Sequence, residues 1–365
     1  MRPPARLAVR PIVGTVLAGV LVAAAAAPAS AAATGMAPPS ALPGRTLPAG
    51  SLSASVPAVS TLRVSAPPVS TLRHSTDAPA ASARPPAALA GGPATAPVGV
   101  GALGADLADA GTGQLLWGRD ANTKRPMGSV TKVMTALVVI QAGDLGRKIT
   151  VPASAVSYVA SHGASSAGLR NGDVLTARQL LDAMLLPSGC DAAYVLATAY
   201  GPGRAAFVAK MNAEARHLGL AKTHFSNFDG LPYPTPRATY STPASLIALG
   251  RAAMALAAFR ATVDRRAYHL AARNGHHAYT WRNTNLLLGS YAGTDGIKTG
   301  FTKAAGYCLL FEAHSGAGVL IGVVLHSTAT KPGDRFTDAR RMLRWGFSVL
   351  TASATLTGRL SRPDS

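Results

Sequence analysis

Ser129-Val130-Thr131-Lys132 leads into an apolar run in which Val133, Met134, Leu137, Val138 and Ile140 follow in close succession. Those positions, with Val130, cover every side of a helix, so the pattern predicts a helix buried all round. Ser129 and Lys132 stand three apart and share one face of it. A hydroxyl and an amine one turn apart suit nucleophilic acyl chemistry, because an amine kept neutral by burial can take the hydroxyl proton as the oxygen attacks a carbonyl. In isolation the same four residues describe an ordinary helix start, with Ser129 as cap and Lys132 in solvent.

Two later elements change that balance, Ser188-Gly189-Cys190 and Lys298-Thr299-Gly300. Thr176 and Gln179 form a capping box that opens a predicted helix over 177–186, and Pro187 ends it. Ser188 then falls in a loop between two helices, its plainer role being to cap the segment that starts near Asp191. Gly296 and Gly300 keep the strand around Lys298 and Thr299 open to close backbone approach. A Lys-Thr pair on an edge strand is otherwise common and means little.

Taken in order, the three elements resemble the active-site serine penicillin-recognising enzymes. The local wording of Gly168-Leu169-Arg170 with Gly172-Asp173, Leu185 to Gly189, Asn283 to Leu287 and Asp295 to Gly306 is similar to that of the D-alanyl-D-alanine carboxypeptidases, the low-molecular-weight penicillin-binding proteins. The resemblance covers roughly residues 100 to 350. It implies an α/β (α+β) fold, a five-stranded antiparallel sheet flanked by helices, with a helical subdomain. The residues read the same way. Gly104 to Asp109 and Gln114 to Trp117 form a hairpin across Gly111-Thr112-Gly113, three further strands lie at 296–300, 306–311 and 319–326, and the middle is helical. Phe207, Met211 and Leu218 line a helix closed by Gly219, and a last helix with Leu343, Trp345, Phe347 and Leu350 packs on the sheet.

The resemblance also implies the chemistry. Ser129 is the nucleophile on the D-Ala-D-Ala bond of peptidoglycan stem peptides, Lys132 the general base, and Ser188 a proton relay toward the leaving amine. Lys298, Thr299 and Gly300 grip the terminal carboxylate, the charge of Lys298 disfavours protonation of Lys132, and the N–H groups of Ser129 and Phe301 form the oxyanion hole. β-Lactams are expected as covalent inhibitors, with no metal and no other cofactor. One residue departs from the pattern. Cys190 stands where the second motif usually has Asn, and a thiol is the poorer donor and acceptor, so its grip on substrate should loosen. That leaves a transpeptidase with weak hydrolysis, or a penicillin-binding wall protein without turnover, as alternatives to the carboxypeptidase. A β-lactamase with a deacylating glutamate is disfavoured, since the only glutamates are Glu214 and Glu312, neither in the loop after the second motif. The histidines lack zinc-peptidase spacing.

The first hundred residues belong to something else. Arg2, Arg6 and Arg10, the apolar run from Ile12 to Ala27 and the small residues to Ala31 read as a signal peptide over 1–33, the alternative being a retained membrane anchor. From 34 to 97 Ala, Pro, Ser and Thr dominate, with Val-Ser-Thr-Leu-Arg at 59–63 and again at 69–73, which makes this a disordered linker. The catalytic domain is expected over 98–350 and a short tail over 351–365. Of the formal charge of +19, seven Arg and one Asp in the first 97 residues carry +6, leaving +13 for the rest. Such a surface suits anionic wall polymers or a membrane surface, whereas nucleic acid is not expected as a partner of an exported chain without a binding motif. Cys190 and Cys308 are expected to stay reduced, and the protein to work outside the cytoplasm, secreted or held at the wall or membrane.

Overall fold

The computed structural model describes residues 95–328 and 330–360, so the expected signal segment and the linker as far as residue 94 lie outside the described residues. Two strands come first, β1 (Gly104–Asp109) and β2 (Leu115–Arg119), then a 3-10 turn (Gly128–Thr131) running directly into α1 (Lys132–Ala142). A helical region follows with β3 (Lys148–Thr150), α2 (Ala153–His162), β4 (Val174–Thr176), α3 (Ala177–Leu185), α4 (Cys190–Tyr200) and α5 (Arg204–His217). After α6 (Pro243–Met254) and α7 (Ala257–Val263) come the short strands β5 (Ala267–Leu270) and β6 (Tyr279–Arg282). The chain closes with β7 (Thr294–Thr302), β8 (Gly306–Ser315), β9 (Gly318–Leu325) and α8 (Asp334–Leu360).

Five strands make one antiparallel sheet in the order β2-β1-β9-β8-β7, the early hairpin joining the late strands where β1 pairs with β9. Period-two alternation along β8 decides what each face covers. Leu309, Phe311 and Ala313 turn to one side and pack with Leu107, Leu320, Phe336, Met342 and Leu343, the last three from α8. Cys308 and Leu310 turn to the other, where α1, α6 and the helical region form the larger core. Trp345, Phe347 and Leu350 pack against the α8 side as expected. The helix does not stop at 350, however, because no Gly or Pro interrupts 347–357 and it continues to Leu360. The expected tail therefore begins as helix.

Two local predictions place the site. The capping box closes as read: Gln179 N–H donates to Thr176 Oγ1 at 3.2 Å, and Thr176 N–H donates to Gln179 Oε1 at 2.8 Å. With α3 ended at Leu185 and α4 begun at Cys190, Ser188 sits between them in a left-handed conformation, φ 68°. In α1 every residue from Lys132 to Val139 is buried, so its first side chain is a lysine with no route to bulk water.

Candidate active site

Three segments that meet without side chains between them bring the motifs together. A Cβ placed on Gly300 would come within 2.3 Å of Met127 O, one on Gly128 within 2.7 Å of Phe301 N, and one on Gly230 within 2.0 Å of Gly128 O. The turn carrying Ser129 is thus nested between β7 and the 229–231 loop at a distance only glycine permits. A cleft of about 330 Å³ opens over this junction, lined among others by Ser129, Ser165, Ser188, Thr299, Phe301 and Arg335.

Lys132 is the hub. Its Nζ donates to Ser129 Oγ at 2.7 Å, to the Asp229 carbonyl at 3.0 Å and to Cys190 Sγ at 3.3 Å. These three partners occupy the three tetrahedral positions around the nitrogen. Ser188, expected to relay protons from Lys132, lines the cleft but makes no bond to it for that reason. Its carbonyl instead accepts Ser165 Oγ at 2.6 Å, fixing the loop. Cys190 also differs from its expected place as a cleft-lining substrate contact. At the start of α4 it is fully buried behind Lys132, 3.5 Å from Ser165 Oγ, so it touches Lys132 and not the open cleft. Burial, ahead of the opposing effect of Lys132, pushes its thiol above the ordinary cysteine range. Both cysteines are free thiols.

β7 is the open edge of the sheet. Tyr307 spends its N–H and C=O on Thr328 and Ser327, so by antiparallel alternation Cys308 turns toward β7 and pairs with Gly300. The neighbours of Gly300 then direct their backbone groups off the free edge, and the Phe301 nitrogen lies against the turn of Ser129, within 2.7 Å of where a Cβ on Gly128 would sit. The Ser129 N–H lies in a first helical turn, which has no carbonyl behind it to accept. Ser129 and Phe301 both line the cleft. Thr299 Oγ1 is 2.6 Å from Thr284 Oγ1 beside them.

Lys298 is fully buried, its Nζ donating to the Thr299 carbonyl at 3.1 Å. Desolvation first, then the charges of Lys132 and Arg335, hold it well below the usual lysine range. A group depressed in this way binds its proton more readily in the unfolded chain, so its contribution to stability rises with pH between the folded and unfolded values. Lys298→Met is accordingly expected to melt higher than the wild type near neutral pH, the gap closing as pH climbs toward the ordinary lysine value. A gap that stays constant or widens with pH, in parallel thermal melts, would refute this.

Four contributors escaped sequence reasoning. The 229–231 loop is pinned by Asn227, whose Oδ1 accepts Gly230 N–H at 2.7 Å and whose Nδ2 donates to Leu231 O at 2.9 Å. Tyr158 Oη donates to Asp229 Oδ2 at 2.9 Å and so steadies the carbonyl that receives Lys132. Asp191 accepts the N–H groups of Ala167 and Leu169 at 2.9 and 3.1 Å and holds the 165–169 wall. Arg335 reaches from α8 to Gly300 O at 3.3 Å, its guanidinium 5.2 Å from the Tyr307 ring, and leaves a buried Nε without a partner. Among the described residues no cluster of His, Cys, Asp or Glu is placed to hold a metal.

Residues 93–329 match the peptidase S11 family, D-alanyl-D-alanine carboxypeptidase. The chain belongs to that family. It is 41% identical to the D-alanyl-D-alanine carboxypeptidase of Streptomyces sp. strain K15 over 68% of its own length and 88% of the relative's. It is 36% identical to DacB2 of Mycobacterium tuberculosis over 67% of its length and 81% of the relative's. Among solved structures, the Streptomyces K15 DD-transpeptidase superposes with a TM-score of 0.64 at 41% identity, over 68% of this chain and 98% of that one. The five-stranded sheet with flanking helices is thus the fold of penicillin-binding DD-peptidases. A serine D-Ala-D-Ala carboxypeptidase, as the motif order implied, is the enzyme class, one that acts on peptidoglycan peptides and is acylated by β-lactams.

Proposed function

We propose that Ser129 Oγ attacks the carbonyl of the terminal D-Ala-D-Ala bond of a peptidoglycan stem peptide while Lys132 takes its proton. The 2.7 Å contact between Lys132 Nζ and Ser129 Oγ carries this reading: a neutral amine donates its two N–H bonds to the Asp229 carbonyl and Cys190 Sγ and keeps its lone pair for the Ser129 hydroxyl proton. The oxygen of the tetrahedral intermediate is received by the N–H groups of Ser129 and Phe301, each worth ~3 kcal/mol of barrier in comparable sites. Collapse expels D-alanine, its amine taking up the proton that Lys132 accepted, and leaves an ester on Ser129. Water then releases the shortened peptide.

The terminal carboxylate is held by Lys298, Thr299 and Arg335. Lys298 is depressed by burial and by neighbouring cations, so an arriving anion favours its charged form, and binding is accompanied by proton uptake wherever free Lys298 has lost its proton. A second reading, transfer of the acyl group to an amine, is favoured by Cys190: the amide usual at this place would present a stronger donor and acceptor beside the base. Cys190→Asn is expected to keep penicillin acylation within about tenfold of wild type, a change of ~1.4 kcal/mol, while shifting products toward hydrolysis. An unchanged ratio of hydrolysis to transfer would show that the thiol does not set it. The arginine-led start and basic surface further suit a chain exported to a wall or membrane rich in anionic polymers.

Incubation of the purified protein with Nα,Nε-diacetyl-L-Lys-D-Ala-D-Ala, with and without glycylglycine, tests the function. Release of D-alanine in both mixtures, with the transfer product only in the second, is expected. Penicillin labelling without turnover of either kind would leave a binding protein and overturn the enzyme assignment.

A further inference from the structure

A second cavity lies away from the serine, on the side of the sheet covered by α6 and α7. Its volume is about 550 Å³, and Met254, Ala257, Ala261 and Val319 give it apolar walls. Four ionisable side chains besides Glu312 face into it: Arg260 and Asp264 from α7 and the residue after it, Asp295 from β7 and His314 from β8. Glu312 itself stands on β8 with the parity of Cys308 and Leu310, the face turned to the helices.

Asp295, His314 and Arg260 have partners, whereas the carboxylates of Glu312 and Asp264 have none among the described residues. His314 Nδ1 sits 2.8 Å from Asp295 Oδ2, and the Arg260 guanidinium donates to the Met254 carbonyl. Glu312 is 8% exposed and has neither a hydrogen bond nor an ion pair among the described residues. Its oxygens face the cavity, where a donor from a ligand or from water can reach them, and a carboxylate so largely withdrawn from solvent gains by a donor brought to it. Burial, with Asp295 adding to it and Arg260 and His314 opposing, pushes its carboxyl up to about 7. Three carboxylates against one arginine and one histidine leave the cavity acidic, in a chain whose formal charge is +19.

We infer that this cavity is a binding site for a small aliphatic ammonium cation, the N–H groups donating to Glu312 with Asp264 and Asp295 nearby, and the carbon stem lying on Met254, Ala257 and Val319. A bare metal ion fits less well, because these acids do not converge on one point. The ligand's N–H bonds supply what Glu312 lacks, and its carbon stem meets the apolar walls. Since the charged ligand favours ionised Glu312, affinity falls as pH drops below about 7. Asp295 lies on β7, three residues before Lys298, so an occupant braces the start of the strand that carries the third motif.

Isothermal titration of the full chain with 1,5-diaminopentane, with Nα-acetyl-L-lysine and with 1-pentanol tests the site. The first probes for a free amine, the second for one borne on a peptide, and the third has no charge. Saturable binding of at least one amine and none of the alcohol is expected, weakened at least tenfold in Glu312→Gln and again on lowering the pH from 8 to 6. Glu312→Gln keeps the volume of the side chain; should it fail to fold, Asp264→Asn carries the same comparison with a smaller expected loss. No saturable binding of either amine, or binding that is equal in wild type and variant, would overturn the inference.

Discussion

Ser129→Ala is expected to lose penicillin labelling entirely and to lower peptide turnover by at least about 10⁴-fold, the scale on which removal of a serine nucleophile acts elsewhere. No other hydroxyl in the cleft is held 2.7 Å from a buried amine: Ser165 donates to Ser188 O, and Thr299 pairs with Thr284. The β-lactam adduct in the wild type should therefore map by mass spectrometry to a peptide containing Ser129. An adduct on Ser188 or Ser165, or residual labelling in the variant, would move the nucleophile elsewhere.

Lys132→Met is expected to reduce acylation by ~10²- to 10⁴-fold, the usual worth of a positioned general base, and to leave the fold intact. The unbranched thioether fills most of the space the lysine stem occupied, and the partners it abandons are one hydroxyl, one thiol and one carbonyl, of which only the Asp229 carbonyl is an obligatory acceptor. Circular dichroism and thermal melting should show a folded protein with slow acylation. A variant that acylates normally would mean that another group takes the Ser129 proton, and normal acylation with a shifted pH profile would point to water.

What the sequence disclosed and what it hid follow from the range of the forces involved. The helix around Val133 and Leu137, the capping box at Thr176, and the strands from Gly104 and Gly306 are written in spacings of two to four residues, and each stands where expected. The short strands β3 to β6 went unnamed, although Tyr279 and Trp281 are buried and Thr280 and Arg282 exposed, an alternation that a closer reading would have caught. Asp229, Tyr158 and Arg335 were hidden for another reason. The backbone carbonyl of Asp229 binds Lys132, 97 residues earlier in the chain, and a carbonyl has no letter in the sequence. Arg335 was one arginine among many until α8 delivered it to Gly300. Ser188 falls in the expected loop and Cys190 opens the helix after it. Counting the bonds of Lys132 requires coordinates, and those bonds go to Cys190.

The glycine contacts at 128, 230 and 300 tie catalysis to cohesion. Nothing but backbone separates the nucleophile's turn from an edge strand, so the attacking group has no foundation of its own and inherits the integrity of β7. If that strand peels from β8, the oxyanion donors, the carboxylate grip and the serine disperse in one event, and no half-built site with a reactive serine persists. For such a protein, covalent capture by a β-lactam reports on the population of intact sheet, and a labelled gel band becomes a measure of folded molecules rather than of catalytic competence alone.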